Sequence, residues 1–148
     1  LSSGLHSVCG SWSRPLEVSS VVLKLKCGQK KSLTRHRVFC LCCGVTHSSE
    51  NRTVEWTRPG LDPDYVFVYR NKKFDPTNQH PSFKERVELK DSQMKDGDVS
   101  VTLKNVTFTD TGIYECRVAQ GQTKAPELIN ITHLRVSAGE CVFITTLR

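Results

Sequence analysis

The chain has 148 residues, 37% of them apolar and 24% charged, with 9 Gly and 6 Pro. That composition suits one globular domain with some extra chain and excludes a fibrous or wholly disordered polypeptide. The net charge of +6 sits in an N-terminal arm, where Arg14, Lys24, Lys26, Lys30, Lys31, Arg35 and Arg37 face Glu17 alone. Residues 38–148 hold 14 basic and 14 acidic residues, so the body of the chain makes no electrostatic case for nucleic acid.

In chain order, residues 1–36 form a basic segment without a clean period. Within it Val21, Leu23 and Leu25 alternate with Val22, Lys24 and Lys26, which allows one early edge strand. From residue 38 the alternation sharpens: Phe39, Leu41 and Cys43 share one face, and Val38, Cys40 and Cys42 the other. A polar loop leads to Val54 and Trp56 on one face, with Glu55 and Thr57 opposite. Pro59-Gly60 and Asp62-Pro63-Asp64 mark a turn, and Tyr65-Val66-Phe67-Val68-Tyr69 is β-branched and aromatic, hence a strand. Residues 71–81 are polar and turn-rich. Val87 and Leu89 form a short strand face, and Val99, Val101 and Leu103 alternate with Ser100, Thr102 and Lys104. Tyr114, Cys116 and Val118 share a parity against Glu115 and Arg117, and Leu134 with Val136 suggests a last strand. Residues 139–148 read as a tail. No sustained helical period occurs, so the expected architecture is an antiparallel sandwich of many short strands.

Seven cysteines and three N-x-Ser/Thr sequons, at Asn51, Asn105 and Asn130, favour an oxidising, secretory compartment with glycans on the surface. Cys43 and Cys116 sit on inward parities of their strands, Trp56 lies between them in sequence, and Tyr114 precedes the second cysteine by two. That pattern describes two sheets bridged face to face, with the indole packed on the bridge. A link across the 73-residue separation is credited with roughly 4.4 kcal/mol by the chain-entropy model. Cys40 and Cys42 point away from Cys43; free thiols, or pairing with Cys9, Cys27 or Cys141, remain open for them.

No run of about 18 apolar residues appears, so no helix spans a membrane. The chain begins at Leu1 without a convincing signal peptide, and ends shortly after Cys141-Val142-Phe143-Ile144. We expect a fragment whose leader and anchor lie outside it. Catalytic motifs for nucleophilic, phosphate-binding, zinc-protease or dinucleotide chemistry do not occur. His6, His36, His47, His80 and His133 are scattered, and Asp96-Gly97-Asp98 reads as a turn. The expectation is no enzyme, no cofactor and no metal, since Cys40-x-Cys42-Cys43 in one extended strand sends its thiolates to opposite faces.

Taken together, Val54-Glu55-Trp56-Thr57-Arg58, Tyr65-Val66-Phe67-Val68-Tyr69-Arg70, Pro81-Ser82-Phe83-Lys84-Glu85-Arg86-Val87 and the run from Asp98 through Asp110 to Cys116 resemble the V-set immunoglobulin superfamily, in particular butyrophilin and B7-type V domains. The resemblance covers residues 38–138, so the expected organisation is a basic segment at 1–36, the V-set domain at 37–138 and a tail at 139–148. It departs from the family's pattern at Gly28-Gln29, which lies well ahead of Cys43 with a basic stretch between.

The resemblance implies the Cys43–Cys116 inter-sheet disulfide, Trp56 packed on it, Tyr114 as the corner tyrosine, Gly112 within the same motif, and an Arg86–Asp110 salt bridge closing one end. It implies a cell-surface or secreted recognition module that binds a receptor or counter-ligand on another cell and modulates T-cell activation and cytokine production. Such domains engage partners through one sheet, here Glu55, Thr57, Tyr65, Tyr69, Glu115, Arg117 and the loop at Gln120. The alternative is an adhesion or virus-receptor-like V domain, homophilic or heterophilic, with a homodimer formed through the same sheet. An antigen-receptor variable domain fits less well, because the terminal strand lacks the F/W-G-x-G bulge used for pairing.

Overall fold

The computed structural model describes residues 21–25, 38–46, 51–121, 124–137 and 140–147. Ten strands arise from the short alternating runs: β1 (Val21–Leu25), β2 (Phe39–Leu41), β3 (Arg52–Thr57), β4 (Tyr65–Arg70), β5 (Lys73–Phe74), β6 (Val87–Leu89), β7 (Val101–Leu103), β8 (Gly112–Gln120), β9 (Glu127–Ser137) and β10 (Glu140–Leu147). They form a seven-stranded sheet in the order β1-β10-β9-β8-β3-β4-β5 and a three-stranded sheet in the order β2-β7-β6. All the strand pairings are antiparallel. Between them lie 3-10 turns at Pro81–Phe83, Lys95–Gly97 and Phe108–Asp110, and no described helix is long and apolar enough to cross a membrane.

Two elements differ from the sequence reading. Residues 139–148, expected as a tail, contain β10, which turns back along β9 (Glu140↔Ser137 to Leu147↔Asn130) and pairs in turn with β1. Its Cys141-Val142-Phe143-Ile144 run lacks the alternation that marks a half-buried strand, so periodicity offers no handle on it. The polar stretch after residue 70 also holds β5, two residues long, which pairs Phe74 with Tyr69. The early alternating run is β1, at the edge of the larger sheet. Gly28-Gln29 falls outside the described residues.

The core lies between the sheets. Phe39, Leu41 and Cys43 from one side of the sandwich meet Val54, Trp56, Tyr114, Cys116 and Leu134 from the other, with Val99, Val101 and Leu103 completing the buried cluster. Cys43 and Cys116 are joined by a disulfide with Cα atoms 6.6 Å apart. Trp56 is fully buried, and its indole N–H donates to the Val99 carbonyl at 3.1 Å, so its one polar atom is satisfied. Gly97 has φ +76°, and a Cβ there would collide with the Val45 carbonyl carbon and oxygen, so glycine is required where the two segments meet.

One end of the sandwich is closed by a polar clamp. Arg86 straddles Asp110, with Nη1 to Oδ1 at 3.2 Å and Nη2 to Oδ2 at 2.6 Å. The same guanidinium donates to the carbonyls of Ser82, Lys104 and Asn105. Asp110 is 2% exposed and also accepts the Thr107 N–H at 2.8 Å. The Tyr114 hydroxyl reaches back to the Asp110 carbonyl at 2.6 Å, and burial pushes its phenol well above the usual range, so it remains a proton donor. Beside it, Arg58 donates to the Thr109 and Thr111 carbonyls and lies over the Tyr114 ring. Gly112 is glycine for a local reason: a Cβ would come within 2.8 Å of the Arg58 Nε.

Candidate partner-binding face

Residues paired across antiparallel strands project to the same side of the sheet. Val54 and Trp56 face the core, so their neighbours Glu55 and Thr57 define the outer face of the larger sheet. Glu55 pairs with Val68 on β4 and Arg117 on β8; Thr57 pairs with Tyr65 and Glu115. Beyond β8, Glu115 pairs with Ile131 and Ile113 with His133 on β9. The outer face thus carries Glu55, Tyr65, Glu115, Arg117, Ile113 and Ile131 side by side on four strands.

Its charges are already arranged in opposition. Arg117 donates to Glu115 at 2.8 Å, with side chains 37% and 20% exposed, and Arg70 pairs with Asp75 at 2.9 Å. Burial raises the Glu55 carboxyl above the ordinary glutamate range, and the positive charges of Arg70 and Arg117 pull it partly back. Thr77 hydrogen bonds hold Asp75 below the usual aspartate range. Ile113 is 42% exposed at the start of β8, two residues from Glu115 and opposite His133. The sequence reading did not single it out, although its shared parity with Glu115 and Arg117 was the signal that could have found it.

Several expected face residues lie elsewhere. Tyr69 pairs with Val54 and packs against the core, because it shares the inward parity of Phe67 and Trp56. A β-bulge between Trp56 and Thr57 separates its register from that of Tyr65, so the two tyrosines fall on opposite faces. Thr57 does lie on the outer side but is only 6% exposed, a short side chain between Tyr65 and Glu115 that offers little surface. Gln120 is exposed at the loop end of β8, opposite buried Arg52, and not on the sheet face.

Cys40 and Cys42 are also not surface thiols: they are 8% and 5% exposed. Burial pushes the Cys40 thiol up to about 12, far from the range of a reactive thiolate. Cys42 is disulfide-bonded. Among the described residues no three His, Cys, Asp or Glu side chains converge as a metal site.

The third sequon is a correction of another kind. Asn130, expected to carry a glycan, is fully buried, and its Nδ2 donates to the Cys42 carbonyl at 2.7 Å. Alternation through Thr132, Leu134 and Val136, all buried, places it inward. By contrast Asn51 and Asn105 are exposed.

Two packed antiparallel sheets, a disulfide with a buried tryptophan, and a tyrosine corner beside an Arg–Asp clamp define a V-type immunoglobulin sandwich. The family model described as the Immunoglobulin V-set domain matches residues 29–137, and the chain belongs to that family, which is one of receptor-type modules and not of enzymes. Within it the chain is butyrophilin- and B7-like. It is 38% identical over 69 residues to the CD276 antigen homolog of Xenopus laevis, covering 47% of this chain and 22% of that protein. It is 31% identical over 71 residues to the V-set domain containing T-cell activation inhibitor 1 of Mus musculus, covering 48% and 25%. The human B7-H4 IgV-like domain superposes with a TM-score of 0.53 at 21% identity, covering 74% of this chain and 93% of that one. The chain thus spans about a quarter of the length of these curated relatives.

Proposed function

We propose that this domain is the extracellular recognition module of a butyrophilin/B7-like cell-surface protein. It binds a receptor on another cell through the outer face of its larger sheet, and in doing so modulates T-cell activation and cytokine production. The observation that carries the reading is the division of labour across that sheet. Its inner side is committed to the disulfide, Trp56 and the core. Its outer side presents Glu55, Tyr65, Glu115, Arg117 and a half-exposed Ile113 on adjoining strands. An apolar side chain sharing a face with charges and an aromatic has the make-up of a protein-contact patch. The T-cell role rests on the likeness to the V-set domain containing T-cell activation inhibitor 1.

The test is binding of the multimerised domain to resting and activated T cells, with cytokine release as the second readout. Arg117→Glu and Ile113→Asp should each lower binding at least tenfold while leaving the melting temperature within about 2 °C, as surface changes do. Undiminished binding by both variants would remove the outer face from the proposal. Concentration-dependent self-association abolished by the same two variants would instead support homophilic adhesion.

A further inference from the structure

We infer that the three sequons are not equivalent: Asn51 and Asn105 carry N-linked glycans, while Asn130 is closed to modification and acts as a hydrogen-bonding strut between the two sheets. The inference rests on the secretory, cell-surface reading above but needs no receptor. N-glycan transfer joins the carboxamide nitrogen to C1 of a lipid-linked oligosaccharide; the nitrogen gives up a proton and the lipid pyrophosphate leaves. The Asn130 Nδ2 that would have to react lies in the interior, opposite Cys116 in the β8–β9 register, and is spent on the Cys42 carbonyl.

That bond ties β9 of the larger sheet to the segment leaving β2 of the smaller one, directly beside the inter-sheet disulfide. The Thr132 hydroxyl of the same sequon is also buried, and among the described residues neither it nor the Asn130 Oδ1 has a hydrogen-bond partner. A sugar at Asn130 would leave the nitrogen a single hydrogen and force a bulky polar group between the sheets. A chain modified there before folding therefore does not reach the native state.

Asn51 and Asn105 sit at opposite ends of the sandwich. Asn51 immediately precedes β3, its carbonyl accepting from the Gly121 N–H at 2.7 Å. Asn105 is in the turn after β7, its carbonyl accepting from Arg86 in the clamp. Both side chains are exposed, as is Thr107 of the second sequon. Glycans at these two points flank the domain's ends and leave the outer face of the larger sheet bare.

The test is a site-occupancy map of the domain expressed with a leader in mammalian cells, using peptide mass spectrometry after deglycosylation in heavy-oxygen water. The secreted pool with the Cys43–Cys116 bond intact should show Asn51 and Asn105 occupied and Asn130 unmodified. Asn130-modified chains should appear only in the retained, aggregated pool. Asn130→Ala should cut the secreted yield severalfold. Thr132→Val destroys the same sequon but keeps the strut, and should match or exceed the wild-type yield. Occupancy of Asn130 in folded, secreted protein overturns the inference, as does an unmodified Asn51 or Asn105. A loss for Thr132→Val equal to that for Asn130→Ala overturns the strut.

Discussion

Replacing Arg86 by alanine tests how this sandwich closes its end. The guanidinium makes two bonds to Asp110 and three to main-chain carbonyls, and its cationic centre lies 5.9 Å from the Phe83 ring centroid. Asp110 is the more buried partner, its side chain 3% exposed against 20% for Arg86. Truncating the arginine leaves a buried carboxylate with one remaining backbone donor, the Thr107 N–H. Stranding a buried charge costs about 3–5 kcal/mol, a large part of the roughly 5–15 kcal/mol that holds a domain together. Asp110→Ala should cost less, because Arg86 keeps three carbonyls and some access to water. The two changes should be strongly non-additive, since the second removes a partner already lost. Urea denaturation of the secreted single and double variants, read by Trp56 fluorescence, gives each quantity. An Arg86→Ala loss below about 1 kcal/mol, or simple additivity, would refute the assignment of a charge-dependent clamp, since a mere surface pair is worth that little.

Other consequences are equally concrete. Replacing Cys43 and Cys116 together by alanine should cost about 4 kcal/mol from the released 73-residue loop, seen as a lower urea midpoint and a poor secreted yield. Glu55 offers a pH test: its carboxyl is raised in the fold, so stability is fullest below the unfolded-state glutamate pKa and declines as pH rises through the folded value. Glu55→Gln should therefore be modestly more stable than wild type at pH 7, by under about 1 kcal/mol, with the difference gone near pH 4 in thermal melts. Gly97→Ala should destabilise by more than about 1 kcal/mol, because it meets both a left-handed backbone and the Val45 carbonyl.

The sandwich was legible because its constraints are local and periodic. Phe39, Leu41 and Cys43 alternate with their neighbours, as do Val54 and Trp56, and period two is all a half-buried strand needs to declare its inner side. The clamp was legible only through family likeness: Arg86 and Asp110 are distant in sequence, and no spacing rule joins them. The failures have separate causes. A bulge at Trp56/Thr57 put Tyr65 and Tyr69 on different faces, since one extra residue reverses parity from there on. Asn130 was misplaced because the sequon is a chemical pattern blind to the side of the strand it occupies, although Leu134 and Val136 carried the parity that turns it inward. β10 escaped because its run shows no alternation at all.

A partner binding the outer face, as proposed, would meet a surface set by the same strand parity. On the outer face Arg117 already neutralises Glu115, and Glu55 lies between Arg70 and Arg117 in its field. A surface whose charges are paired with one another exerts weak long-range attraction, so a partner gains little from electrostatic steering and must find its affinity at contact. Ile113, exposed at the β8 end of the same face, is then the natural apolar anchor, with the ion pairs beside it excluding mismatched partners. Raising the salt from 0.05 to 0.5 M should change the association rate only severalfold, whereas Ile113→Asp should act mainly on dissociation. A hundredfold salt effect on association, measured by biosensor against T-cell membranes or a purified receptor, would show that free charge, and not this apolar anchor, directs the encounter.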